Sequence, residues 1–322
     1  MQSDIRKAAL NLGFIAAEPV TCQPFDVWRN RLSGIPLGKY LSFEHDPSKA
    51  AGRPVEELTL WVGVAPTLPM SEWPEGCGEI SGFYMCSEQR KKRRIAWEDA
   101  AEALGYEITR DVTLPERAAA IRAGLGVHGL NGLLITPSHG SFVDITLLLL
   151  HAAPPPGARG PEYDLSSGCG RCGECVKACP THAISKDGVD TLMCLRHYMN
   201  RLEELPKEDY PKMERRILGC DTCQNACPNN SLLARACPPA DIAEHMRLEE
   251  LLTAPDIEGI SKYIQPHYTR AREHLFTKQA LLAAANTGRK DLLPLIETLR
   301  DSEDEVMKKM ASWAAERLGQ GV

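Results

Sequence analysis

The chain lacks an apolar run long enough to cross a bilayer. The longest, around Ile145 to Ala153, stops at Pro154-Pro155-Pro156, well short of the roughly 20 residues a spanning helix needs. It also lacks a positively charged start followed by an apolar core, so no secretory signal is expected and the protein is expected to be cytoplasmic, with no membrane partner. Nor is there an excess of positive charge: 37 Lys and Arg against 43 Asp and Glu leave a net charge of -6. That argues against wholesale electrostatic binding of nucleic acid, although a local basic patch could still serve. A dinucleotide fingerprint is missing too, because no strand leads into the glycines between Gly124 and Gly140 and no acidic residue follows at the needed offset. What remains is an ordinary globular composition, 43% hydrophobic and 25% charged, and 322 residues allow two or three domains.

Cysteine is present in abundance, at 12 residues. Cys169-x-x-Cys172-x-x-Cys175-x-x-x-Cys179-Pro180 is followed by an isolated Cys194 and then by Cys220-x-x-Cys223-x-x-x-Cys227-Pro228. The first run has the spacing of bacterial two-cluster ferredoxins, where the fourth cysteine of a motif ligates the other cluster. On that pattern one 4Fe-4S cluster takes Cys169, Cys172, Cys175 and Cys227, and the second takes Cys179, Cys194, Cys220 and Cys223. A cubane offers one iron per thiolate, so three ligands must converge from a tight loop while the fourth arrives from elsewhere, and the proline after each motif turns the chain away. Structural zinc is the bland alternative, but it does not explain a triple C-x-x-C-x-x-C ending in Cys-Pro. A disulfide framework does not suit a chain with no expected secretory signal. Cys22, Cys77, Cys86 and Cys237 have no ligand-like spacing and read as reduced, partly buried thiols.

Residues 1–165 read as an α/β domain, with strands alternating with helices and a sheet covered by them. Ile5, Ala8, Ala9 and Leu12 mark an opening helix. Leu58 to Val64 is a buried strand stopped by Pro66, and further strands are expected at Leu133 to Thr136 and from Phe142 to about Leu150. A helix from about Lys91 to Leu104 places Ile95, Ala96, Ala100, Ala103 and Leu104 on one face. It opens with five cations, Arg90 to Arg94, which read as a solvated helix start; phosphate recognition is the sharper reading, opposed by the helix dipole. The glycines from Gly124 to Gly140 imply close backbone approach to something. Residues 166–236 form the two-cluster ferredoxin-type domain, and residues 237–322 turn helical. There Leu292, Leu295, Ile296 and Leu299 make one amphipathic face and Val306, Met310, Trp313 and Ala314 the next, like a single HEAT-type repeat that must dock on the rest of the chain.

Over about residues 110–322 the chain resembles the epoxyqueuosine reductases, cobalamin-dependent iron-sulfur enzymes that finish queuosine synthesis on tRNA. The resemblance is carried by Glu116-Arg117-Ala118, Ala123-Gly124-Leu125-Gly126, Gly129 with Asn131, Gly140-Ser141, the eight cysteines, Gly219-Cys220-Asp221-x-Cys223-Gln224 and the helical end. It implies an α/β corrinoid-binding domain, a base-off cobalamin beside the clusters, and an external low-potential electron donor of flavodoxin or ferredoxin type. It also implies cofactor-binding positions at Gly126, Val127, His128, Gly129, Asn131, Ser141 and Asp221. A monomer is expected. Where the family has a proton-donating aspartate, six residues before the glutamate of Glu-Arg, this chain has Arg110, so Asp111, offset by one, and His128 stand as the candidate catalytic acids. The family's Ala-Arg-Tyr-Ala and Asp-Tyr-His segment is absent, and its Trp-Ile-Gly-Lys-Asn stretch becomes Val127-His128-Gly129-Leu130-Asn131. The cofactor inference therefore stands on firmer ground than the substrate, and tRNA is a partner the departures put in doubt. Two other classes compete with a corrinoid-dependent reductase: an electron carrier or corrinoid-reactivating partner, and a tRNA-binding module. Anoxic analysis is expected to give about eight iron and eight acid-labile sulfide per chain; full zinc occupancy in their place would end the cluster assignment.

Overall fold

Strand β1 (Ala16–Thr21) pairs antiparallel with β2 (Thr59–Pro66), and β2 with β7 (Val143–Leu150), which carries the short β4 (Ile108–Thr109) on its other edge. The structure is a computed structural model and describes residues 2–27, 44–160, 169–265 and 273–320. Strands β2 and β7 are near-continuous apolar runs because helices cover both faces of the sheet. On one face α1 (Gln2–Asn11) and α2 (Ser87–Ala103) bury Phe14, Trp61, Trp97, Leu148 and Leu150. On the other, α3 (Glu116–Arg122) buries Ala118 to Ile121 against Leu60, Val62, Leu147 and Leu149. Every pairing in this sheet is antiparallel, which corrects the α/β expectation toward an α+β layer. Strand β1 was not foreseen, because Pro19 breaks its pattern; as an edge strand it tolerates the missing donor.

The expected face of α2 is also corrected. Ile95 and Leu104 are 36% and 37% exposed, and the helix instead buries Arg93, Trp97, Glu98 and Ala101. Trp97 sets this orientation, its indole N–H donating to the Ile5 carbonyl at 3.2 Å and its ring lying 4.8 Å from Phe14. Gly63 makes the packing possible, since a Cβ there would sit 2.7 Å from the Phe14 ring.

The C-terminal helices α6 (Leu248–Thr253), α7 (Glu273–Asn286), α8 (Leu293–Thr298) and α9 (Glu305–Gly319) share one core with residues on both sides of the cluster motifs. Met307, Met310, Ala311 and Ala314 of α9 belong to it, together with Ile80, Tyr84, Met199, Tyr210 and Ile217. Tyr210 meets Trp313 edge-on at 5.2 Å, Gln279 donates to the Met199 carbonyl and Asn286 to the Tyr210 carbonyl. Strand β3 (Glu79–Ile80) pairs parallel with β10 (Arg216–Leu218), so the first region contributes a strand to the third region's core. The helical end therefore docks as expected, but the division at residue 236 cuts through a continuous core, and that near 165 lies outside the described residues. Among the described residues, no helix is long and apolar enough to cross a membrane.

Trp97→Ala is expected to cost about 3–5 kcal/mol of stability, read as a lower denaturant midpoint, whereas Ile95→Ala should stay within about 0.5 kcal/mol. The reverse order would overturn the assigned helix face.

Candidate redox site

Two short helices, α4 (Glu174–Ala178) and α5 (Thr222–Asn225), carry Cys175 and Cys223 and pack together. Left-handed backbone at Arg171 (φ 46°) and Gly173 (φ 79°) curls the first loop back on itself. The thiols lie close enough to feel one another: Cys175 lies in the field of Cys169, Cys227 and Cys172, Cys194 in that of Cys220 and Cys179, and Cys223 in that of Cys220, Cys194 and Cys175. Burial pushes the Cys194 thiol up to about 11 and the Cys223 thiol higher still, so these sulfurs ionise only when a cationic core compensates the desolvation. Among the described residues no three Cys, His, Asp or Glu close around a point as ligands of a single ion do. Polar groups already reach three sulfurs: Thr222 at Cys220 (3.3 Å), Thr181 at Cys179 and Asn229 at Cys227 (both 3.7 Å). Such contacts tune a cluster's potential.

A buried chain of side chains fastens the second motif to the sheet layer. Asn230 accepts the Ser141 N–H (2.9 Å) and donates to Ser141 Oγ (2.9 Å) and the Gln224 carbonyl (2.7 Å). Ser141 Oγ donates to Gln224, Gln224 donates to Asp221 (2.9 Å), and Asp221 accepts the Gly82 N–H (3.1 Å). Gly140 (φ 50°) is required here, because a Cβ would lie 1.8 Å from Asn230 Oδ1. Ser141 and Asp221, expected to contact a cofactor, are each engaged by protein partners in this clamp. Burial raises the Asp221 carboxyl against these hydrogen bonds.

Gly126, Val127, His128, Gly129 and Asn131 come together on one small hairpin, β5 (Val127–His128) against β6 (Leu134–Ile135). The glycines serve the hairpin itself. A Cβ on Gly126 would meet the Ile135 carbonyl at 2.5 Å, and one on Gly129 would meet Asn131 at 2.5 Å, so the inferred close approach is to protein backbone and side chain. His128 is buried and pairs with Leu134 across the hairpin. At the turn, Leu130 packs against the apolar cluster of Cys175, Cys179, Ala183 and Ile184. Asn131 accepts the Leu133 N–H through Oδ1 (3.3 Å), while its buried Nδ2 has no hydrogen-bond partner among the described residues. Arg117 braces the turn from α3 by donating to the Gly132 carbonyl at 2.7 Å.

Beside the hairpin, the start of α3 gathers charged groups that the residue pattern did not announce. Solvent reaches the Glu116 side chain, yet protein crowds its other sides. That desolvation raises its carboxyl while Arg90 and Arg117 pull it back, and the same crowding lowers Arg117. Behind them Asp144 is 2% exposed. Its Oδ2 accepts from Arg93 at 3.0 Å, and its buried Oδ1 has no hydrogen-bond partner among the described residues. Burial lifts the Asp144 carboxyl to about 6 against Arg93 and Arg90, with Glu116 adding to the rise. The five-cation run lies within α2 rather than at its start: Arg93 pairs with Asp144, Arg94 with Glu98 at 2.8 Å, and Arg90 lies over the Phe83 ring, while Lys92 is exposed to solvent. Asp111 stands apart from Asp144 and its partner Arg93. Its side chain is 80% exposed at a left-handed turn (φ 50°), 3.4 Å from Arg94 and one helical turn along α2 from Arg90. Arg110 is held by Asp99 and Glu102.

Residues 168–230 match the 4Fe-4S double cluster binding domain family. An epoxyqueuosine reductase of Bacillus anthracis is 29% identical over 224 residues, covering 64% of this chain and 54% of that protein. The match thus spans about half the length of the curated relative. Among solved structures, epoxyqueuosine reductase from Streptococcus thermophilus superposes with a TM-score of 0.79 at 20% identity, covering 100% of this chain and 91% of its own. A second epoxyqueuosine reductase, crystallised with a tRNA-Tyr epoxyqueuosine-modified stem loop, gives 0.79 at 22% identity over 99% and 90% of the two chains. At those identities the likeness establishes the fold. Cys194→Ala is expected to abolish one of two cluster signals in the EPR spectrum of reduced protein; both signals intact would refute the ligand grouping.

Proposed function

We propose, on the premise that this chain is a homologue of the epoxyqueuosine reductases in sequence and fold, that it is an iron-sulfur reductase. In this reading an external low-potential donor of flavodoxin or ferredoxin type feeds two 4Fe-4S clusters, and a base-off corrinoid stands between the clusters and the substrate. The carrying observation is the hairpin turn at Leu130 and Asn131. Leu130 packs on the cluster cysteines, and Arg117 holds the turn from α3 through the Gly132 carbonyl. The residues present fit such a group, since Asn131 Nδ2 is a buried donor with no hydrogen-bond partner among the described residues and an unmade buried hydrogen bond costs about 1–3 kcal/mol. Asn131 would hold the cofactor with the backbone of Gly126, Val127 and Gly129, and His128 would brace it from within the hairpin. A corrinoid supplies a metal centre that low-potential clusters can reduce and that can reduce carbon in turn. Arg117 keeps the turn in place, and Leu130 keeps water from the cluster side. The buried Asp144–Arg93 pair favours an enzyme that handles a substrate over a bare electron carrier, because electron transfer alone needs no buried carboxyl. The tRNA stem loop bound by a protein of the same fold supports an RNA-borne epoxide as the first substrate to test, and the HEAT-like helical end would then serve as part of the scaffold.

Titration with cob(II)alamin is expected to give a base-off EPR spectrum, and Asn131→Ala to weaken binding about fivefold, the equivalent of about 1 kcal/mol. An unchanged base-on spectrum at saturating protein would sink the corrinoid reading.

A further inference from the structure

We propose that Thr222, oriented by Arg216, sets the reduction potential of the one 4Fe-4S cluster that Cys220 ligates, by donating its hydroxyl proton to the Cys220 sulfur. Resting on the two-cluster reading of residues 168–230, this role needs neither a corrinoid nor a substrate. It holds for any grouping of the eight cysteines that gives Cys220 to a single cluster.

Thr222 Oγ1 stands 3.3 Å from Cys220 Sγ, where β10 gives way to α5, while the polar contacts at Cys179 and Cys227 are 3.7 Å long. A sulfur bound to iron is a thiolate with no proton of its own, so it only accepts and the hydroxyl donates. Arg216 fixes the other side of that hydroxyl. Its Nη2 donates to Thr222 Oγ1 at 3.0 Å, and a guanidinium has no acceptor, so one oxygen lone pair is occupied and the hydroxyl proton is left for the sulfur. Asp221, the residue between them, is taken up by the Gly82 N–H and by Gln224. Arg216 is itself well placed. Its backbone pairs with Glu79 of β3, its Nη1 donates to the Lys212 and Met213 carbonyls at 3.1 and 3.4 Å, and Glu214 pairs with Nη2 at 2.8 Å. The carbonyl contacts suffice to close the turn before β10, whereas the contact to Thr222 reaches across to the ligand loop.

The step concerned is a one-electron reduction of the cluster by the external low-potential donor, with no covalent bond made or broken. Reduction adds negative charge to the cluster and its thiolates, and a hydrogen bond to a more negative sulfur is stronger. Thr222 therefore stabilises the reduced form more than the oxidised one and raises the potential. Arg216 is the positioning residue, since Glu214 offsets its longer-range field and leaves its directed N–H as the main influence.

The test uses full-length protein with both clusters loaded, verified as about eight iron and eight acid-labile sulfide per chain, and follows the EPR signals of the reduced clusters through a potentiometric titration. Thr222→Val keeps the side-chain shape and removes the hydroxyl. It is expected to lower one midpoint, making the reduced-to-oxidised ratio of that cluster about tenfold smaller at a fixed potential, equivalent to about 59 mV for one electron, with the other midpoint in place. Thr222→Ser should restore the ratio to within about threefold of wild type, and Arg216→Met should lower the same midpoint but add little to Thr222→Val. A merely structural pair would change cluster content or stability and leave the midpoints alone. Neither midpoint moving in Thr222→Val, both moving together, or a loss that Thr222→Ser does not restore overturns the proposal. An Arg216→Met shift of equal size with and without the Thr222 hydroxyl overturns the relay. If Thr222→Val fails to load a cluster, Arg216→Met, which leaves that hydroxyl present, decides: one lowered midpoint supports the relay and two unmoved midpoints overturn it. Wild type without two reducible clusters removes the two-cluster reading itself, and the proposal with it.

Discussion

The hydrogen-bond chain from Ser141 through Asn230 and Gln224 to Asp221 and Gly82 sets the position of three thiolates relative to the sheet. Cys220, Cys223 and Cys227 lie on a stretch with little regular structure, a four-residue helix and two turns, so local hydrogen bonding cannot fix it in place. Fastening it to Gly82 and Ser141 ties these cysteines to the segment leading into β7 and to the chain just before α2. A cubane tolerates little error in its thiolate positions, and every polar atom in this chain of contacts is matched.

The second organising feature is charge brought inside. Arg93 and Asp144 are 9% and 2% exposed, and such a pair is not an efficient way to stabilise a fold, because removing both charges from water offsets most of their attraction. A layer with Trp97, Phe14, Leu148 and Leu150 beside it could have been closed with apolar side chains. The charges instead sit where α2, α3 and β7 converge, next to the hairpin that touches the cluster cysteines. Raised carboxyls at Asp144 and Glu116 at such a convergence are the pattern that functional sites produce.

How much of this was legible in the sequence followed from range. The eight cysteines could be read because three-ligand loops and their Cys-Pro ends are local patterns, and even Cys194 could be placed by counting the ligands left over. Strands β2 and β7 were legible for the same reason, as apolar runs bounded by prolines. The clamp was not, since Ser141 and Asn230 lie 89 residues apart and nothing local marks Gln224 or Asn230 as partners. Glycines at 126, 129 and 140 were recognised as sites of close approach, but sequence alone could not say that the approaching atoms belong to Ile135, Asn131 and Asn230. The face of α2 was misread because a period count weighs Ile95 above Arg93, whereas a buried partner on another strand reverses that ranking.

The hairpin at 126–136 divides two environments. On the side of Leu130 lie apolar side chains and the cluster cysteines, where low dielectric and few polar contacts suit electron storage. On the side of Arg117 lie guanidinium and carboxyl groups. The turn therefore stands between an apolar and a charged environment, where Asn131 carries a buried donor with no hydrogen-bond partner among the described residues. The arrangement accounts for a hairpin of four strand residues being braced from three directions: by Arg117, by its own glycine-tight packing, and by Leu130 against the cysteine core.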